Sequence, residues 1–343
     1  MEPRDVMHAW GAILDGRPPF LSLEVTRECP LRCPGCYAYE PDHIAGTAGL
    51  RTLHDFRGDT LVTRALAIID EVRPLHVSLV GGDPLVRYRE MEALVPQILA
   101  RNIHVQLVTS AFRPPAAEWA KFERMTIAVS IDGLPAEHDV RRAPATYERI
   151  LKNIAGSRVT IHSTITSQMA ARPGYLEEFL AFWTPRPEIH RVWFSLFTPQ
   201  RGARDAEILT PEQRQRVIAE IRELRVKYPK LDMSPMLLPE FLRPPDSPRD
   251  CIFSQVTETL SADLKSRVTP CQFGGDPDCS QCGCIASMGM AAIGHYKLGG
   301  LIPLGQIFNA SVKVGQWRKR FRRPSIPAGG VLPGEPVTES SPE

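Results

Sequence analysis

The chain has 343 residues, 43% of them hydrophobic, with 41 basic against 39 acidic side chains and a formal charge of +2. That length and apolar share can bury one large core or two domains, while the near-balanced charge gives no global basis for binding nucleic acid. No continuous apolar stretch reaches the roughly 18 residues of a membrane span, and eight cysteines without an apolar signal segment at the N-terminus speak against a disulfide-stapled secreted scaffold, so a cytoplasmic protein with reduced thiols is expected.

In chain order, apolar β-rich runs recur at residues 21–26, 76–82, 104–110, 125–131, 158–166 and 191–199. Helical patterns fall between them at 60–71, 90–101, 115–124, 146–155 and 174–183. A repeated β-then-α order predicts a parallel sheet in an α/β fold, and six units are too few to close an eight-stranded barrel, so an open, partial (βα)6 TIM-like barrel is expected. Side chains alternate across a strand. Leu21, Leu23 and Val25 alternate with Ser22, Glu24 and Thr26, and Val159, Ile161 and Ile165 with Thr160, His162, Thr164 and Thr166. The same split places Ser78, Gln106, Ser130, Asp132 and Ser195 on the inner face. A closed barrel fills its interior with branched apolar layers, so a polar inner face predicts a lumen built around a ligand.

Just after the first strand run comes Glu28-Cys29-Pro30-Leu31-Arg32-Cys33-Pro34-Gly35-Cys36-Tyr37. Prolines lack a backbone donor and push the preceding residue toward extended geometry, so Pro30 and Pro34 make this a wrapped loop rather than a helix. Thiolates on such a loop can converge on one centre. Three of them, rather than four, leave one iron of a 4Fe-4S cluster without a protein ligand and open to substrate. The alternative is half of a zinc site completed by Cys279-x-x-Cys282, although zinc ribbons separate their halves by only about 15–20 residues.

Cys29-x-x-x-Cys33-x-x-Cys36 resembles the signature of the radical S-adenosylmethionine (radical SAM) enzymes. The resemblance implies an open iron that chelates the methionine amino and carboxylate groups of SAM, and an electron transfer that releases methionine and a 5'-deoxyadenosyl radical able to abstract hydrogen from a substrate. Where the family carries an aromatic residue just before the third cysteine this chain has Gly35, and Tyr37 is assigned to cover the adenine. Gly81-Gly82-Asp83-Pro84, closing the second strand, resembles the family's Gly-Gly-Glu-Pro motif, whose glycines admit the methionine amino group; Asp83 stands where the family has Glu. Ser130-Ile131-Asp132-Gly133, with Glu137-His138-Asp139 and Arg141, is similar to a segment of radical SAM enzymes that carry a SPASM-type extension. It implies Ser130 at the ribose or carboxylate, with Thr164 and Thr166 as further ribose candidates and Arg141 as a carboxylate partner. Read as structure alone, both strings are turns rich in Gly, Asp and Pro.

The remaining cysteines, Cys251, Cys271, Cys279, Cys282 and Cys284, lie beyond the barrel, and residues 256–270 between the first two read as a hairpin. The arrangement resembles a SPASM extension or its shorter twitch form, which implies an auxiliary iron-sulfur cluster. Five cysteines suffice for one cluster, which favours twitch. Neighbours two apart point different ways in an extended chain, so the expected ligands are Cys251, Cys271, Cys279 and Cys282, with Cys284 the alternate and a zinc knuckle the competing reading.

The expected division is an N-terminal extension (1–19), the barrel (20–230), a proline-marked linker (231–249), a cysteine-rich auxiliary domain (250–313), and a basic, then disordered tail (314–343). About twenty residues ahead of the barrel are too few for a winged leader-peptide module, which weakens a peptide substrate unless a partner supplies that module. Gly, Ala, Met, Leu and Ile between 285 and 310, followed by Arg318-Lys319-Arg320-Phe321-Arg322-Arg323, keep open a lipid or polyprenoid substrate and peripheral membrane contact, against the plainer reading of a lid with a solvated basic tail. A flavodoxin or ferredoxin is the expected electron donor. A small-molecule substrate, and a noncatalytic iron-sulfur or zinc protein, also remain open, and no catalytic acid or base is assigned.

Overall fold

The structure, a computed structural model, describes residues 3–44 and 48–321. Seven parallel strands form one sheet: β1 (Phe20–Glu24), β2 (His76–Val80), β3 (His104–Thr109), β4 (Met125–Ser130), β5 (Val159–Ile165), β6 (Ile189–Leu196) and β7 (Thr257–Leu260), in the order β6-β5-β4-β3-β2-β1-β7. The first six follow chain order, as expected of βα units joined by right-handed crossovers. A small antiparallel pair, β8 (Lys297–Leu298) and β9 (Ile302–Pro303), stands apart.

The helices are α1 (Pro3–Leu14), α2 (Gly58–Val72), α3 (Tyr88–Ala100), α4 (Pro135–Arg141), α5 (Tyr147–Ile154), α6 (Ser167–Ala171), α7 (Tyr175–Trp183), α8 (Pro211–Lys227), α9 (Ile252–Val256), α10 (Ile285–His295) and α11 (Leu304–Phe321). The crossover helices form because apolar residues recur on one face: Leu61, Ala65, Ile68 and Ile69 in α2, Met91, Leu94, Val95 and Ile98 in α3. These bury against Leu21, Leu23, Val77, Leu79, Val105, Leu107, Ile127 and Val129 in one continuous core. Each such side chain contributes about 1.5–3 kcal/mol when fully buried. The helix expected over 115–124 is instead a 3-10 turn, Ala117–Lys121, bounded by extended backbone at Ala116 and Phe122.

The opposite face of the sheet is largely polar. Thr259, Ser22, Ser78, Gln106 and Thr126 stand in one register row across five strands. Ser130, His162 and Trp193 form a second row, and Thr164 pairs with Ser195. Val80, Val108 and Ala128 interrupt this face, which is therefore less uniformly polar than the sequence suggests.

The cysteine-rich segment opens with Cys251 and α9 and continues into β7, which extends the barrel sheet by pairing with β1. The expected hairpin survives as a short return arm, in which Ser261 N donates to Ser266 O (2.7 Å) and Val268 N to Thr259 O (3.0 Å). Further on, Leu196 N donates to Gly283 O (2.9 Å), Gly283 N to Thr198 Oγ1 (2.9 Å) and Ile285 N to Ser195 Oγ (3.3 Å). The segment thus runs from one end of the sheet to the other and spans the open side of the partial barrel at the C-terminal end of β6.

Within 231–249 the first part packs while residues 242–249 hold no buried side chain. Leu231, Met233, Leu238 and Phe241 join the main core despite the prolines around them. Helices α1 and α11 form a satellite core with Ile13, Val256, Phe308 and Val312. Arg318, Lys319 and Arg320 form the exposed last turn of α11; the rest of the expected basic and disordered tail lies outside the described residues. No helix among the described residues is long and apolar enough to cross a membrane.

Candidate functional site

Cys29, Cys33 and Cys36 follow β1, on the loop expected from their prolines. The base of that loop is fixed by a buried network that the sequence did not reveal. Asp55 accepts from Thr26 Oγ1 (2.7 Å), Arg27 N (3.2 Å) and Arg87 Nη2 (2.8 Å), and Arg87 Nη1 donates to Glu28 (3.0 Å). Burial opposes ionisation of Asp55, yet these donors and the Arg87 charge hold its carboxyl below the usual range.

The Gly81-Gly82-Asp83-Pro84 string meets the same loop from β2. Gly82 N donates to Thr26 O (2.8 Å) and Asp83 N to Glu28 O (2.9 Å). A Cβ on Gly82 would lie 2.1 Å from Glu28 O; one on Gly81, at φ +126, would lie 2.6 Å from Thr26 O. The absent side chains therefore make room for the chain's own cysteine loop. Pro84 opens the following 3-10 turn, and Asp83 is buried, its carboxylate accepting from Leu85 N, Thr109 Oγ1, Ser110 N and Ser110 Oγ. With its acceptors taken by the end of β3, Asp83 serves as a brace between neighbouring strands.

At the C-terminal end of β4, Asp132 accepts from Arg141 Nε (3.0 Å) and Arg142 Nε (2.7 Å), and Arg141 also pairs with Glu207. Burial would raise the Asp132 pKa, but Arg142 and Arg141 outweigh it and keep the carboxylate charged. His138 Nδ1 accepts from Asp132 N (3.0 Å) while Nε2 donates to Ala145 O (2.9 Å), a neutral tautomer that fixes this turn. Ser130 stands beside His162 in register, and His162 Nε2 lies 2.8 Å from Ser195 Oγ. Burial lowers the His162 pKa to about 4, so its ring is neutral. Arg142, absent from the sequence-derived candidates, acts electrostatically on Cys33 and Cys36, and Arg141 on Cys33. Thr164 lies on the inner face, and Thr166 precedes α6 as its N-cap without capping through its side chain.

All five later cysteines line one pocket, together with Thr198, Gln272, Phe273 and Ser287. Gln272 Nε2 donates to Cys284 Sγ (3.2 Å), and Cys251 Sγ lies 3.2 Å from Ser287 Oγ. Burial pushes the Cys29 and Cys271 thiols up to about 12 and Cys279 to about 11, and also raises Cys33, Cys36, Cys282 and Cys284. Without metal these thiols stay protonated near neutral pH, and binding iron there releases protons. A pocket lined by five thiols is a donor set that fits either an iron-sulfur cluster or a zinc ion.

Tyr37 joins the two cysteine groups. It follows Cys36 directly and, although 39% exposed, packs its ring edge-on against Phe273 at 5.3 Å. Phe273 lines the pocket of the later cysteines, so Tyr37 stands between the two groups. Beside it, His43 Nε2 donates to Glu24 Oε1 (2.8 Å) and His43 Nδ1 to Phe273 O (3.2 Å), while Ser261 also donates to Glu24. Both ring nitrogens face acceptors, the geometry of an imidazolium. Burial opposes that charge, but Glu24, the Phe273 carbonyl and Asp42 outweigh it and raise the His43 pKa. The stabilisation is present in full below the ordinary value of 6.5 and is lost as pH rises through the raised value. His43→Gln should therefore fall further below wild type in stability at acidic pH than at alkaline pH; urea unfolding of both proteins at pH 6 and pH 9 checks this.

Residues 23–180 match the model of the radical SAM superfamily. The chain is 24% identical over 270 residues to the PqqA peptide cyclase of Methylocella silvestris, covering 74% of this chain and 68% of the relative. In structure it is similar to Streptococcus suis SuiB bound to its precursor peptide SuiA (TM-score 0.54, 15% identity, 92% of this chain and 70% of that one). It is also similar to anSMEcpe with bound AdoMet (TM-score 0.52, 14% identity, 74% of each chain). The matched stretch carries the triad and runs from within β1 into α7, so this part of the chain is a radical SAM domain, set in the partial barrel that the structural neighbours share.

Proposed function

We propose that the protein binds SAM across the mouth of the barrel, cleaves it reductively, and uses the resulting radical to modify a peptide, with a second iron-sulfur cluster held by four of the five later cysteines. The observation that carries this reading is the position of Tyr37, against Cys36 on one side and the Phe273 wall of the second cysteine pocket on the other. Two thiol groups facing one aromatic residue suit an enzyme that moves electrons between two centres. A scaffold would need neither the polar lumen nor the arginines facing it.

A 4Fe-4S cluster on Cys29, Cys33 and Cys36 would supply the electron that breaks the sulfonium bond of SAM. The protein's own residues then have distinct tasks. The glycine pair and the Thr26-Asp55-Arg87-Glu28 network hold the cysteine loop against β2. Arg142 presents a guanidinium beside the triad, suited to the methionyl carboxylate, while Asp132 aims it and Arg141 is occupied by Glu207. Ser130 and Thr164, on the inner face, offer hydroxyls to the ribose, with Thr166 at the strand's end. Tyr37 packs on Phe273 and is available to border the adenine only from that position. All five later cysteines line the pocket; Cys251, Cys271, Cys279 and Cys282 are taken as the ligand set, with Cys284, which accepts from Gln272 Nε2, as the alternate.

The peptide class of substrate is supported by the PqqA peptide cyclase relationship, which spans most of both chains. Mass profiling of cells with and without the protein tests it. A peptide changed in mass only when the protein and its three triad cysteines are intact is expected; changes confined to lipids would contradict the peptide reading.

A further inference from the structure

Two arginines are buried among the described residues, and they are treated differently. Arg87, 5% exposed, has carboxylate partners in Asp55 and Glu28. Arg214, in α8 and 8% exposed, has none. Its Nε and Nη2 donate to Phe241 O (3.3 and 2.9 Å), Nη1 to Gln281 O (2.8 Å), and Nη2 also to Cys282 O (2.7 Å). Asp278, which acts on it from a distance, spends its carboxylate on Ser280 and Gln281.

Carbonyls satisfy the guanidinium's donors but do not cancel its charge. Arginine cannot shed its proton, and a buried cation without a countercharge costs several kcal/mol. The residue whose carbonyl it grips, Cys282, lines the pocket shared by all five later cysteines. An iron-sulfur cluster bound by four thiolates carries net negative charge and would supply the missing partner.

We propose that Arg214 is the countercharge of an anionic metal-thiolate centre in that pocket, a positioning residue that holds Gln281 and Cys282 in place and raises the centre's reduction potential. The proposal rests on the reading of these cysteines as cluster ligands. One-electron reduction adds negative charge to the centre, and a nearby buried cation favours the reduced state, more strongly than it would in water. Arg214 needs no contact with substrate or SAM to do this.

The test uses the full-length chain with Cys29, Cys33 and Cys36 all replaced by alanine, so that only the later cysteines can hold iron. After anaerobic reconstitution with iron and sulfide, iron content and the midpoint potential of the remaining centre are measured for Arg214, Arg214→Gln and Arg214→Lys. Gln should shift the potential to more negative values at equal iron content, and Lys, which keeps the charge, should restore most of the shift. Equal potentials in all three proteins would overturn the proposal. If the Gln variant fails to load, the Lys variant decides. Loading with a potential near that of Arg214 supports the charge argument, and failure to load refutes it. A protein with Arg214 intact that takes up no iron and sulfide would overturn the cluster itself.

Discussion

Gly82→Ala is expected to strip the triad of its cluster and abolish 5'-deoxyadenosine formation while leaving the later cysteines loaded. The added methyl would sit 2.1 Å from Glu28 O and 2.8 Å from Tyr39 Oη. The first of these neighbours is backbone and cannot rotate away. Relief requires the loop to retreat from β2, breaking the Gly82-to-Thr26 and Asp83-to-Glu28 hydrogen bonds directly before Cys29. The second cysteine pocket is anchored instead to the end of β6 through Gly283 and should be spared. Iron analysis is expected to fall from about eight to about four per chain, the content of one 4Fe-4S cluster. Full iron with full activity would show that the loop tolerates displacement.

Arg87→Met should lower unfolding free energy by about 3–5 kcal/mol, the cost of removing one member of a buried ion pair and leaving the other charged. Asp55 would be left buried with Thr26, the Arg27 amide and the half-exposed Arg27 guanidinium at 3.9 Å, while Glu28, more exposed, can turn to Arg57 and water. A loss below about 1 kcal/mol by urea denaturation would mean that water replaces the guanidinium. The double variant Arg87→Met/Asp55→Asn separates the pair: it should recover part of the loss, because no carboxylate is then stranded.

Local patterns carried the barrel. Alternation over four to eight residues identified six strands, and the prolines beside Cys29 and Cys33 identified a loop, because both signals are written in adjacent residues. Partners across the fold leave no such trace. Asp55 lies 29 residues from Thr26 and 32 from Arg87, and nothing near it marks it as their common acceptor. Arg142 stands next to Arg141 in sequence, but only the turn after α4 brings both onto Asp132 while Arg141 alone also meets Glu207. Parallel pairing of β7 with β1 joins segments more than 200 residues apart and had no local signal. Composition marks the prolines around residue 245 but cannot report that Leu238 and Phe241, a few residues earlier, are buried in the main core. Asp83 was legible as part of a glycine-rich strand end, while its work as a brace for β3 depended on Thr109 and Ser110 arriving beside it.

Anaerobic incubation of the iron-loaded protein with dithionite and SAM is the most direct measurement. Release of 5'-deoxyadenosine and methionine is expected, with none from Cys29→Ala, Cys33→Ala or Cys36→Ala. A fully loaded wild-type protein that forms no 5'-deoxyadenosine with any reductant would contradict the assignment of the triad to SAM cleavage.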